Sequence, residues 1–226
     1  MAEPPAVAGI VLAGGRSSRM GEDKAALVFD GVSLLQRTVD AVAAVADEVI
    51  VVGAPGQSLP AVRSARPLTV VADPIEGEGP LRGIATGLAA ARAPVAVVVG
   101  VDMPFLRPAL LRLLARRVTA EQRWVLPIAE RRPQPLCSAF ARDALPVVEA
   151  HLARGDRAPM AVAADLGFYR MLQEEWSGAD PEGWSFVDVD TPEDFAEAER
   201  LLREGGGPGA RSGTGEEPRH GERRGR

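Results

Sequence analysis

The sequence predicts an α/β protein, a single domain built on a doubly wound, mostly parallel sheet. Three features carry that expectation. Short β-branched runs are continuously apolar instead of alternating, as in strands covered on both faces. Stretches rich in Ala, Leu and Arg, with apolar residues at helical spacing, separate them. The length of 226 residues, with 46% hydrophobic and 25% charged residues, suits one substantial core.

Taken in order, residues 8–12 form the first apolar run, followed by a helix over residues 33–47 with Ser33 as its N-cap. Runs 49–52 and 68–72 come next, then a helix over 81–92 and a strand over 95–101. This βαβαβ order implies parallel strands joined by right-handed crossovers. Beyond it the pattern predicts a helix over 107–117, strands over 124–129 and 136–141, a helix over 143–155, and strands over 167–172 and 184–189. A last helix starts at Thr191, where TPED supplies a cap, a first-turn Pro and acids near the helix N-terminus. The domain spans residues 6–202. The remaining 203–226 are dominated by Gly, Arg and Glu, lack a residue able to build a core, and read as a disordered tail.

Charge and composition exclude several functions. Lys plus Arg number 26 against 31 Asp plus Glu, a net charge of −5, and the basic tail leaves the folded part more acidic still. Nucleic acid and acidic membrane surfaces are therefore poor partners. Cys137 is the single cysteine, so neither an intramolecular disulfide nor a Cys-His zinc site can form. No apolar run approaches the roughly 20 residues that span a bilayer, the first residues lack the features of a secretory signal, and cytoplasmic residence is expected. His151 sits in a predicted helix and His220 in the tail, so no Ser-His-Asp or Cys-His constellation assembles.

The chemistry concentrates where strands end. The first strand runs into LAGGRSSRMGEDK, where Gly14 and Gly15 let backbone N–H groups approach an anion. Arg16, Arg19 and Lys24 add cations there, and Lys24 is the only Lys among the basic residues. The spacing matches neither the dinucleotide fingerprint nor the P-loop, and a strand-to-GG step alone is often just a turn. With the cations, it reads as a phosphate site. Asp102, in VDMPFL at the end of a buried strand, is placed to hold a divalent cation, though capping the next turn would also explain it. Asp73 ends the preceding strand, and Gly77, Gly79 and Gly83 make the following segment a flexible loop able to wrap a base or ribose. Asp188 and Asp190 could complete a metal shell or merely flank the last helix. Without a general base, the site favours phosphoryl or nucleotidyl transfer, because a phosphate nucleophile is already anionic.

The segments LAGGRSSRMGEDK, DPIEGEGPLRGI, VDMPFL, PLCSAF and DVDTPEDF, in that order, resemble the molybdenum cofactor guanylyltransferases, the MobA type of the nucleotidyltransferase superfamily. The resemblance covers roughly residues 6–202 and implies a Rossmann-like nucleotidyltransferase fold. It implies transfer of GMP from GTP to the phosphate of Mo-molybdopterin, with release of pyrophosphate and Mg²⁺ as cofactor. Leu12, Ala13 and Gly14 would then contact the nucleotide through their backbone, Lys24 would neutralise its phosphates, Asp73 would lie at the guanosine side and Asp102 would bind Mg²⁺. Gly15, Arg19 and Gly79 complete the expected nucleotide site, and Lys24 and Asp102 are the expected catalytic pair. Arg82, Arg131 and Arg132 are candidates for gripping the pterin. Molybdopterin-handling or molybdoenzyme-maturation proteins are the further partners implied.

Two departures stand out. VVGAP stands where some relatives carry Asn, and the DVD segment replaces an Asn-containing version, which leaves the roles of Asp188 and Asp190 open. The alternatives are a molybdopterin cytidylyltransferase, another sugar-phosphate-type nucleotidyltransferase, or a non-catalytic nucleotide- or cofactor-binding protein. LAGG followed by GPLRG resembles the guanylyl form, whereas the cytidylyl form carries LAAG and lacks GPL. Lys24, Asp73 and Asp102 together argue against a binder that has lost its charges.

Overall fold

In the computed structural model, residues 5–14, 23–75 and 77–204 are described; Gly15, Arg16, Arg19 and the expected tail from residue 205 onward lie outside them. The chain begins with β1 (Val7–Leu12), the short hairpin strands β2 (Val28–Phe29) and β3 (Val32–Ser33), and helix α1 (Leu34–Ala43). Strands β4 (Glu48–Gly53) and β5 (Leu68–Ala72), helix α2 (Gly79–Ala90), strand β6 (Val95–Gly100) and helix α3 (Pro108–Arg117) follow. The second half contains β7 (Trp124–Ala129), β8 (Arg132–Pro133), β9 (Cys137–Ala141), α4 (Leu145–Ala153), β10 (Phe168–Met171), α5 (Gln173–Trp176) and α6 (Pro192–Arg203).

The main sheet runs β10-β7-β9-β6-β1-β4-β5, with β8 paired to β7. β1 pairs in parallel with β4 on one side and β6 on the other, and β9 runs antiparallel to both of its neighbours. From β1 the chain winds outward to β4 and β5, then returns to β6 on the opposite side of β1. Crossovers of one hand going in opposite directions put their helices on opposite faces. The core shows that division for α1 and α2, whereas α3, after β6, packs on the α1 face. Val11, Val49, Val51, Val97 and Val99 pack with Leu35, Val39 and Val42 of α1 and Leu110, Leu111 and Leu114 of α3. Ile10, Leu12, Ile50, Val52 and Val98 pack with Leu81, Ile84 and Leu88 of α2 and Val148 and Leu152 of α4. Each of these buried aliphatic side chains contributes about 1.5–3 kcal/mol from leaving water. Among the described residues no helix is long and apolar enough to cross a membrane.

The mostly parallel α/β sheet agrees with the expectation, and the differences are local. Residues 68–72 read as a strand covered on both faces, but β5 is the sheet edge and Val70 is 58% exposed. β-Branched residues favour extended backbone at an edge as well as in a centre, so a continuous run does not report coverage. Residues 184–189 form no strand. The buried Asp180 carboxylate accepts from the N–H groups of Trp184 and Ser185, which turns the chain into a 3₁₀ segment over Trp184–Phe186. The aromatic residues there point to packing, since Trp184 meets Phe105 and Phe186 meets Trp176, and not to a ladder. α2 starts two residues early because Pro80 fits its first turn, and Gly83 lies inside the helix, as the 81–92 span already required, and not in the loop.

At the centre of the second half, fully buried Trp124 donates its Nε1–H to Ser138 Oγ at 3.1 Å, and Ser138 passes its own hydroxyl hydrogen to Pro135 O at 2.7 Å. Ser138→Ala removes the acceptor and strands the indole N–H, so unfolding in urea should show a loss of about 1–3 kcal/mol. A Trp124→Phe background, which has no indole N–H to strand, should shrink that loss.

Candidate active site

In a doubly wound sheet, the ends of the two strands where winding reverses separate and leave a crevice at their carboxyl edge. Here those strands are β1 and β6, and the crevice is a cleft of about 570 Å³. Leu12, Ala13, Gly14, Lys24, Asp73, Gly79 and Asp102 all line it. The structure therefore brings together every expected nucleotide-site residue that it describes, whereas Gly15 and Arg19 lie outside the described residues.

Backbone hydrogen bonds fix the floor. Val101 N donates to Leu12 O at 3.1 Å, and Ala13 N and Gly14 N both donate to Val52 O at 2.8 and 3.1 Å. The turn after β1 thus presses against the end of β4, and a Cβ on Gly14 would lie 2.8 Å from Ala54 N. Only glycine allows that approach. Gln57 holds the same corner from the side. Its Nε2 donates to Ala13 O at 3.0 Å and to Asp23 Oδ2 at 2.7 Å, while its Oε1 accepts from Ala54 N at 2.7 Å. Asp23 in turn caps the 3₁₀ turn Lys24–Ala26 by accepting from Ala25 N. Sequence reasoning missed Gln57, which sits in a surface loop with no motif spacing to single it out.

The charged centre is built by elements far apart in sequence. Lys24 Nζ lies 3.0 Å from Asp102 Oδ2 and also pairs with Asp190 Oδ1. Val189 N donates to Asp102 O at 2.9 Å, which draws the DVD segment over the end of β6. Burial lowers the affinity of the Lys24 ammonium for its proton, but hydrogen bonds and charge from Asp190 and Asp102 outweigh it and hold the group above its ordinary range. Asp188 is exposed by surface area, yet desolvation of its carboxyl pushes it up to about 7, and Asp102 and Asp190 add to the push. Among the described residues three carboxylates stand against one ammonium here, an arrangement that suits a divalent cation. Among the described residues no three acidic, His or Cys side chains form a preformed metal cage. Magnesium does not need one, because it keeps waters and phosphate oxygens as ligands beside one or two carboxylates.

Across the cleft, burial raises Asp73, against the lowering effects of its Thr86 hydrogen bond and the Arg82 charge. Its Oδ1 is buried with no hydrogen-bond partner among the described residues. Arg131 and Arg132, in contrast, are exposed at the β7–β8 turn and do not line the cleft, and Arg82 is engaged by Glu78 Oε2 at 2.6 Å. Cys137 is fully buried, and desolvation pushes its thiol up, so it is an inert core residue.

The family described as the MobA-like NTP transferase domain matches residues 9–167. The chain belongs to this family. Over 201 residues the transferase is 30% identical to the molybdenum cofactor guanylyltransferase of Desulfosudis oleivorans, covering 88% of this chain and 98% of that protein. Its fold is similar to the crystal structure of molybdopterin-guanine dinucleotide biosynthesis protein A from Archaeoglobus fulgidus, with a TM-score of 0.73 at 22% identity over 87% of this chain and 99% of that one. It is also similar, with a TM-score of 0.56 at 18% identity over 86% and 98% of the chains, to Rv0371c from Mycobacterium tuberculosis H37Rv, whose structure is a complex with manganese. At such identities these two likenesses bear on the fold alone.

The raised Asp188 carboxyl has a consequence for stability. A carboxyl that binds its proton more tightly folded than unfolded makes its full contribution near pH 4, and loses it as pH rises through about 7. Asp188→Asn should flatten the fall in metal-free stability over that window and raise the unfolding midpoint at pH 8, as thermal melts across pH would record.

Proposed function

We propose that this transferase moves GMP from GTP to the terminal phosphate of molybdopterin and releases pyrophosphate. The observation that carries the reading is the meeting of Lys24 and Asp102 at the mouth of the β1–β6 crevice, in a chain whose curated relatives are named molybdenum cofactor guanylyltransferases.

In this reading the backbone of Leu12, Ala13 and Gly14 cradles the triphosphate, since anions favour a strand-to-turn step lined by N–H groups. Gly15 and Arg19, expected from the sequence to join the nucleotide site, lie outside the described residues. Lys24 draws charge from the α-phosphate as the acceptor oxygen attacks phosphorus and the bond to the β-phosphate oxygen breaks. Asp73, whose buried Oδ1 has no hydrogen-bond partner among the described residues, accepts a hydrogen bond from the nucleoside, which offers ribose hydroxyls and base N–H groups. Gly79 and its neighbours face the base. Asp102, with Asp188 or Asp190 beside it, holds Mg²⁺. That ion, when bound, screens the phosphate charges and the leaving pyrophosphate. The acceptor is a phosphate, anionic at neutral pH, so the chain needs no general base, in keeping with a cleft that has no His or Cys among the described residues of its lining.

The direct test is calorimetric titration with GTP, CTP, ATP and UTP in Mg²⁺, together with pyrophosphate release when molybdopterin is supplied. Selective GTP binding with pterin-dependent release is expected. CTP preference would move the assignment to a cytidylyltransferase, and binding without turnover would make the chain a carrier. Lys24→Ala and Asp102→Ala should each lower kcat roughly a hundredfold or more, the scale of removing one preorganised charge from a developing anion.

A further inference from the structure

Opposite the phosphate corner, the cleft wall is the segment from Gly77 to Pro80, which leads into α2. Gly77 and Gly79 both have positive φ, at 77° and 74°. A segment with two such glycines has many alternative conformations to lose. The N-cap residue of α2, Glu78, makes no side-chain cap hydrogen bond. Something else must hold this segment in place.

The missing support comes from the turn after α4. Arg157 O accepts from Leu81 N at 3.3 Å and so takes over part of the capping of α2 from outside the helix. A Cβ on Gly79 would lie 3.1 Å from that same oxygen, so the two backbones are in close contact. Arg157 also grips Glu78 by charge: Nη2 lies 2.6 Å from Glu78 Oε1, while Arg82 Nε holds Glu78 Oε2 at 2.6 Å. The Glu78 side chain is only 13% exposed, so its carboxylate is stable there because both oxygens are paired. The Arg157 guanidinium is aimed by Nη1, which donates to Leu152 O at 3.2 Å and Asp156 O at 2.9 Å. The turn carrying it is anchored by buried His151, whose ring nitrogens lie 2.8 Å from Asp156 Oδ2 and 2.9 Å from Asp165 Oδ2.

We propose that Arg157 is a positioning residue that, through Glu78 and the Leu81 N–H, clamps the 77–81 segment in the shape that receives the nucleotide base. The inference rests on the nucleotide-binding reading of the cleft. Arg157 touches no reacting atom. It acts by keeping the base wall in its competent conformation before the nucleotide arrives. If loss of the clamp leaves the segment competent about a tenth of the time, apparent nucleotide affinity falls roughly tenfold, because the dissociation constant scales inversely with the competent fraction.

The test is calorimetry and steady-state kinetics on Arg157→Ala, Arg157→Lys and Glu78→Gln, with all four nucleoside triphosphates and with the acceptor varied separately. Expected for Arg157→Ala are a Kd and KM for the preferred nucleotide raised roughly tenfold, kcat at saturation within about twofold, and an unchanged KM for the acceptor. Arg157→Lys should recover part of the affinity, since an ammonium can still reach Glu78 but cannot also bond the Leu152 carbonyl. Glu78→Gln, which keeps the size of the side chain, should repeat the loss of affinity even if Arg157→Ala folds poorly. Unchanged nucleotide Kd with a lower unfolding midpoint would overturn the proposal in favour of a purely structural role. A raised acceptor KM with unchanged nucleotide Kd would overturn it in favour of an acceptor contact. Should the wild-type protein prefer a nucleotide other than GTP, the guanylyl reading falls and the clamp is judged on the nucleotide that does bind.

Discussion

The parallel pairing of β1 with β4 on one side and β6 on the other is the constraint on which the rest of the molecule depends. Winding reverses at β1, with α1 after β1 on one face and α2 before β6 on the other, so the carboxyl ends of β1 and β6 lie side by side. The crevice between those ends cannot be filled by either set of helices. Each wall of the cleft is then a segment that leaves a strand: Ala13 and Gly14 after β1, Asp73 after β5, and Val101 and Asp102 after β6. The two apolar layers on either face hold these strand ends rigidly in register.

On that frame the cleft is divided by charge. At one end Lys24 stands among Asp102, Asp188 and Asp190, and repulsion between the carboxylates shows in the raised Asp188. A cluster of this kind is stabilised by cations and is suited to a ligand that arrives with a metal. At the other end Glu78 is held within the protein by Arg82 and Arg157. The first end is arranged to exchange partners and the second to stay still. That division fits a substrate whose phosphates react while its base is only held.

The hinge of the arrangement at both ends is long-range. Lys24 reaches Asp190 across 166 positions and Asp102 across 78, and Arg157 braces Glu78 across 79 positions. Gln57 joins the turn after β1 to Asp23 in the same way. None of these contacts has a spacing that periodicity or a motif would reveal.

The sequence by itself determined the class of fold and the residues of the cleft floor. Continuous apolar runs, helical spacing between them and turn residues at strand ends are local properties, and they marked β1, β4, β6 and their helices together with Gly14, Lys24, Asp73 and Asp102. Local pattern could not distinguish the edge strand β5 from a central one, because β-branched residues suit both positions. It also read residues 184–189 as a strand, although Asp180 bends them into a turn. Only the tertiary structure decided which acids meet Lys24, that Arg131 and Arg132 stay outside the cleft, and that Arg157 caps α2. Those outcomes follow from the packing of distant elements, where the energy of a contact depends on which groups the folded chain brings within hydrogen-bond distance and removes from water.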